Sequence, residues 1–496
     1  MEFIFSLRIF AVTIRTPYTM CCSFLPSLTL FLFFLLISVP CSALPFSTPT
    51  SHGNGKKQQH NNNNSSNLHS TNMDPFEVET LFKIMETLSS DSNWRVSYPS
   101  PCKPGSSSWI GLECKPGNDN HVHVSRLDFG TKPNPTCKKT ATFPSQIFDL
   151  PYLESVFFFR CFTQTKTTIT ITPGRISTTL TQLSFRSNQA IIGPIPPQIS
   201  SLKSLQVLTL SQNRLHGQIP AEIFSLSSLV HLDLSYNLLT GTIPNQLGSL
   251  VKLEGLDLSY NLLTGPIPNT IGQLGLLQKL DLSSNSITGR IPDTIENLHF
   301  LVFMALGNNK LKGNFPKGID RLQNLQYLIM EDNPMFVQLP FELGRLAKLQ
   351  ELRLANSGLS GAIPPSFSRL LNLSTLSLQN NRLTGPIPVT LSNLTHIYHM
   401  NLSKNLLVGV VPFNLNFLQR LGRNLDLSGN SGLCLDKSDA YASVKIGVGV
   451  CGSKGIGSLD QPLKRSEAPV GSCRLFNVLA FLGVWGMYQM LFYLSI

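Results

Sequence analysis

Three aspartates, Asp233, Asp257 and Asp281, recur 24 residues apart, and spaced carboxylates are what a hydrolase uses for acid and base work. Each one, however, sits in the same Leu-Asp-Leu triplet, so a repeat accounts for them without a shared site. The histidines are scattered. His121 with His123, and His396 with His399, read as surface residues rather than metal ligands. No phosphate-binding loop and no activated-nucleophile motif is present. These residues point away from an enzyme, and neither a cofactor nor a metal is expected.

The cysteines offer a different chemistry. Cys102 and Cys114 bracket Trp109, and Cys434 and Cys451 flank the far end of the repetitive region. In an oxidising compartment each pair reads as a disulfide, and closing such loops contributes about 2–4 kcal/mol apiece. Zinc would need tighter ligand pairs. Cys137 and Cys161 form a third bridge, or else Cys161 is a buried thiol. Cys473 leaves an odd count, which becomes even if the chain is cut upstream of it. Asn372, Asn393 and Asn401 each begin an Asn-x-Ser/Thr acceptor for a glycan, as do Asn63 and Asn64.

What positions these residues is a repeat. The stretch Leu229-Val-His-Leu-Asp-Leu-Ser-Tyr-Asn237-Leu-Leu-Thr-Gly241-Thr-Ile-Pro244 returns almost unchanged one period later. Its asparagine recurs at Asn188, Asn213, Asn237, Asn261, Asn285, Asn309, Asn333, Asn381, Asn405 and Asn430, while Ser357 breaks the row and Cys161 holds the same slot earlier. A leucine pair such as Leu232 and Leu234 marks a short strand with an inward face. The asparagine amide, turned inward, satisfies backbone groups that water does not reach. Gly193, Gly217, Gly241, Gly265, Gly289, Gly361 and Gly385 open Gly-x-Ile-Pro elements that turn the chain. Short windows such as Asn269 to Leu276 leave room for little helix, so the strands line one concave face as a parallel sheet with short helical or 3₁₀ pieces opposite. Leu127 with Phe129, and Val156 with Phe158, mark two irregular first strands, for about twelve turns in all.

The flanks divide the 496 residues further. Residues 1–43 read as a secretory signal, with Arg8 and Arg15 before an apolar run and Cys41-Ser42-Ala43 at its exit; Met1 or Met20 starts it. Residues 44–73 are a polar low-complexity linker. Residues 74–122 form an N-terminal cap whose Phe76, Val78, Leu81, Phe82, Ile84, Met85 and Leu88 have helical spacing. The repeats run over 123–433, and a C-terminal cap and spacer over 434–460. Residues 461–496 end in the uncharged run Leu475 to Ile496, about 33 Å long as a helix. That run is expected to be a membrane segment or the tail of a GPI signal, with no room for an intracellular domain after it. Lys and Arg total 39 against 28 acidic residues, a net of +11, but dispersed rather than gathered with aromatics. Nucleic acid is therefore not expected as a partner.

The repeat Leu-x-x-Leu-x-Leu-Ser-x-Asn-x-Leu-x-Gly-x-Ile-Pro resembles the plant-specific class of leucine-rich repeats. Trp94 and the Cys102…Trp109-x-Gly-x-x-Cys114 region resemble the N-terminal cap of plant receptor kinases and receptor-like proteins. Over Asp74 to Ile496 the chain is similar to receptor-like proteins without a kinase, of the Piriformospora indica-insensitive type. Val337, where a glycine is missing, and the repeat near Cys161 depart from the pattern. The resemblance implies an α/β solenoid, a right-handed superhelix with a concave parallel sheet. It also implies a protein on the outer face of the plasma membrane that binds an extracellular peptide, protein or glycan and signals through a receptor kinase. The alternative is a secreted inhibitor resembling polygalacturonase-inhibiting proteins, which need no apolar tail.

The expected ligand face is where the strand residues leave the bland Asp, Ser and Thr of the repeat. Phe303, Tyr327, Glu331 and Arg353 do so, with Ile329 expected exposed in the same strip, and His231, Tyr236 and Tyr260 form a second cluster. Aromatics and arginine are what binding hot spots are made of.

Overall fold

The computed structural model describes residues 72–103, 109–171, 178–438 and 446–452. The expected signal, most of the linker, and the apolar C-terminal run lie outside them. Fourteen strands make one sheet, from Leu112–Pro116 to Leu425–Asp426. The first pairs antiparallel with Val122–Phe129, and from there each strand lies parallel to its neighbour one repeat on. The fold is a leucine-rich-repeat solenoid. Its strands are only three residues long through most of the array, as at His231–Asp233 and Lys279–Asp281, because one inward leucine per strand suffices when repeats stack their cores. Opposite them, segments such as Asn245–Ser249 and Asn269–Gln273 are 3₁₀ turns that start after a proline.

The asparagine row behaves as a ladder. The Asn261 carboxamide oxygen accepts from the Leu239 N–H at 3.1 Å, and its nitrogen donates to the carbonyls of Leu234 (3.0 Å), Leu258 (3.2 Å) and Ser259 (3.1 Å). One side chain thus joins two repeats and closes its own turn. The residue before it is left-handed throughout, with φ near +55° at Tyr236, Tyr260, Ser284 and Asn308.

Short strands that the residues did not announce lie on the flank, just after the ladder. Leu238–Thr240, Ser286–Gly289 and Arg382–Gly385 belong to sheets of three, three and five strands. Glycine and proline disfavour strand in isolation, so only stacking reveals it.

At the N-terminal end the helix Pro75–Leu88 is capped by Asp74, whose carboxylate accepts from the N–H groups of Phe76 and Glu77. Leu81, Ile84, Met85 and Leu88 are buried over the first strands. Glu77, also buried, accepts from the Val124 N–H at 2.8 Å and meets His123 Nδ1 at 2.6 Å, while His123 Nε2 meets Asp119 at 2.9 Å. Burial works against a charged His123, but Asp119 and Glu77 outweigh it and raise the imidazole above its ordinary value. Cys102 is bonded to Cys114, Cys137 to Cys161 and Cys434 to Cys451. In the irregular first repeats phenylalanines replace leucine as the spine. Phe129 and Phe185 stack on either side of Phe158 at 5.4 and 4.9 Å.

Candidate ligand-binding face

The parallel register turns a 24-residue sequence step into a contact between neighbours. Along one lane of the concave sheet stand His231, Gly255, Lys279, Phe303, Tyr327 and Glu351, each opposite the next. In the adjacent lane stand Asp233, Asp257, Asp281, Ala305, Ile329 and Arg353.

The central cluster is brought together. The Phe303 and Tyr327 rings lie 6.0 Å apart, tilted by 42°, and the Lys279 ammonium is 6.0 Å from the Phe303 centroid. The Tyr327 hydroxyl donates to Gln350 Oε1 at 3.1 Å. Arg353 is held by an ion pair to Glu351 on its own strand, so its guanidinium is positioned rather than floating. Glu331 is half-buried, and burial raises its carboxyl while Arg353 opposes the shift. Ile329 does not join them. It is only 7% exposed, contrary to the expectation of an exposed apolar side chain. It lies between Ala305 and Arg353, its register partners on the two flanking strands. The apolar surface of the strip therefore comes from Phe303 and Tyr327, both half-buried.

The second cluster divides in two. His231 is on the strand lane, its imidazole folded over Gly255, where an added Cβ would meet Nδ1 at 2.6 Å. Burial holds its pKa below the ordinary value. Tyr236 and Tyr260 are off the strands, at the left-handed turn position with φ +53°. Their rings stack at 4.1 Å, inclined by 9°, and are exposed by 38% and 40%.

Reading each aspartate as a repeat consequence missed what stacking does to the three together. Asp257 and Asp281 are almost buried, adjacent in register, and Lys279 reaches Asp257 Oδ2 at 2.8 Å. Burial, with Asp257 alongside, pushes the Asp281 carboxyl up to about 7 against the pull of Lys279. Asp233 is raised in the same way, by burial and then by Asp257. The signal was available: three acids at one repeat position must become neighbours. Of the glycan acceptors, Asn372 and Asn393 are exposed, and Asn401 is half-buried on the concave strand with its oxygen accepting from Ser403.

The solenoid presents one extended parallel sheet, the kind of surface on which repeat proteins bind partners. Residues 203–263, 275–335, 348–370 and 372–394 match the leucine-rich-repeat family. Those segments carry the leucine-rich-repeat pattern, and the chain is similar to plant receptor-like proteins over part of its length. It is 63% identical over 146 residues to Receptor like protein 29 of Arabidopsis thaliana, covering 29% of this chain and 31% of that protein. It is 33% identical over 153 residues to Piriformospora indica-insensitive protein 2 of the same plant, covering 28% and 34%. The matched segments thus span about a third of those relatives. Among solved structures it resembles the Arabidopsis receptor kinase HAESA ectodomain in complex with an IDA peptide hormone ligand, with a TM-score of 0.59 and 28% identity over 73% of this chain and 57% of that one. It also resembles the plant peptide hormone receptor RGFR1 in complex with RGF2, with a TM-score of 0.53 and 29% identity over 63% and 49%.

Proposed function

We propose that this protein is a cell-surface binding component of a plant receptor system, which takes an extracellular ligand on its concave face and signals through a partner kinase. The observation that carries the reading is the run Lys279, Phe303, Tyr327 and Arg353. In these consecutive repeats Lys279, Phe303 and Tyr327 follow one another in register along one lane, and Arg353 stands in the adjacent lane of the next repeat, where most repeats carry bland residues. Similar ectodomains solved with peptide ligands support a peptide as the ligand class. The proposed attachment to the membrane is the uncharged run Leu475 to Ile496, which would keep the repeats outside the cell, and the binding role leaves no need for catalysis.

The test uses the full chain expressed in plant cells. Membrane complexes are captured through it and kinases in them identified by mass spectrometry. The combined variant Phe303→Ala, Tyr327→Ala and Arg353→Ala is expected to reach the surface in wild-type amounts and to lose the captured kinase or its ligand-induced recruitment. Undiminished capture by that variant would move the binding site off the central concave face.

A further inference from the structure

The flank of the solenoid carries a second built feature, at the repeat where the glycine is missing. Val337 stands in the slot that Gly265, Gly289 and Gly313 fill with φ of +71° to +83°. A β-branched residue resists that conformation, and the left-handed position moves one place earlier, to Phe336 at φ +54°. Holding a bulky side chain there is strained, because its Cβ crowds the following carbonyl. The next repeat has changed to accept it. Gly358 stands where other repeats carry Leu262 or Leu406, and a Cβ at Gly358 would come within 2.5 Å of Phe336 Cδ1. Ser357, which breaks the asparagine row, is its neighbour. Three departures from the repeat therefore meet at one place, and together they leave the Phe336 ring 61% exposed.

Around that ring is an open cleft of about 570 Å³. The guanidinium of Arg382 lies 5.6 Å from the ring centroid. Asp332, Asn356 and Asn380, all left-handed and exposed, line the cleft beside it. Lys310 and Lys312 on the preceding repeat and Lys404 on the following one are exposed as well, so cations outnumber the one carboxylate. A flat aromatic platform accepts the C–H face of a sugar ring, side-chain amides both donate to and accept from its hydroxyls, and a guanidinium binds a carboxylate in bidentate fashion. An apolar side chain of a peptide would want a closed, dry pocket instead, and this cleft is shallow and polar at its rim.

We propose that this flank binds a uronic-acid residue of an acidic polysaccharide, with the ring of the sugar on Phe336 and its carboxylate on Arg382. The site is separate from the concave face, so it stands or falls independently of the peptide reading. The strain at Phe336 is then part of how the ring is presented.

The experiment is titration calorimetry of the purified protein with an oligogalacturonate and, in parallel, with a neutral gluco-oligosaccharide of the same length. Wild-type protein is expected to bind the uronate oligomer and to bind the neutral one at least tenfold more weakly. Phe336→Ala and Arg382→Gln are each expected to weaken uronate binding by about tenfold or more, with melting temperatures no lower than wild type. The concave triple variant should bind it normally. No uronate binding by the wild type, equal binding of the neutral oligomer, or undiminished binding in both variants would overturn the proposal. The last of these results is what general attraction of a polyanion to a basic protein would give.

Discussion

At the scale of single residues the ladder asparagine carries the heaviest duty. Replacing Asn261 by leucine keeps the volume but strands the Leu239 N–H and deprives three carbonyls of a donor. The expected loss is about 2–4 kcal/mol, read as a lower denaturant midpoint at unchanged slope; wild-type melting would remove the ladder role. Ser357 shows how far the rule bends. Its hydroxyl donates to Ala355 and Met330, and its backbone carbonyl takes over the accepting work, from the N–H groups of Met335 and Phe336. The asparagines were legible because a strict period announces a buried slot. Ile329 was not legible, because its burial is set by neighbours one repeat away on each side. The cleft at Phe336 was half legible: the missing glycine was plain, but the transfer of strain to Phe336 and the compensating Gly358 needed coordinates.

At the scale of elements the repeats near the N-terminus depend on more than leucine packing. Cys161 sits in the ladder slot, where its N–H is taken by Asn188 Oδ1 at 2.7 Å, and its sulfur is bonded to Cys137 across 24 residues. Closing a loop of that length contributes about 3 kcal/mol. Because each repeat contacts only its neighbours, the benefit should stay local. The variant Cys137→Ser with Cys161→Ser is expected to speed hydrogen exchange in the strands Val122–Phe129 and Ser155–Phe159. Protection at His231–Asp233 and Lys279–Asp281 should be unchanged. Uniform loss of protection along the array would show a single cooperative unit instead. Strand order and the concave sheet could be read from the leucine pairs, since their spacing fixes a parallel register. The flank strands could not, because their sequence is that of a turn and their pairing partner is another repeat.

At the scale of the whole molecule, stacking gathers charge as well as leucine. Asp233, Asp257 and Asp281 share one stripe across three repeats, with Lys279 placed among them. In the unfolded chain these carboxyls titrate near 4, whereas in the fold Asp281 holds its proton up to about 7. Between those values the native state binds more protons than the unfolded one, so stability falls as pH rises. Asp233 and Glu331, both raised by burial, add to that slope. His123, also raised, acts in the same sense: its contribution is complete below the unfolded histidine value and is lost as pH climbs through the folded one. His231 and His399 act oppositely, since burial lowers them and their neutral forms lose ground as pH falls. Asp281 gives up its proton between about pH 5 and pH 7.5, and the melting temperature should drop by a few degrees across that interval. Asp281→Asn removes one raised carboxyl of the stripe while keeping its shape and its ability to accept from Ser283. That variant is expected to melt at or above wild type near neutrality and to show a flatter dependence, by about 1 kcal/mol or more over the interval. Thermal unfolding of both proteins across the pH series reads the difference directly. A variant whose stability falls as steeply as the wild type would mean that Asp281 ionises normally in the fold, and that the stripe is screened by water rather than sealed by its neighbours.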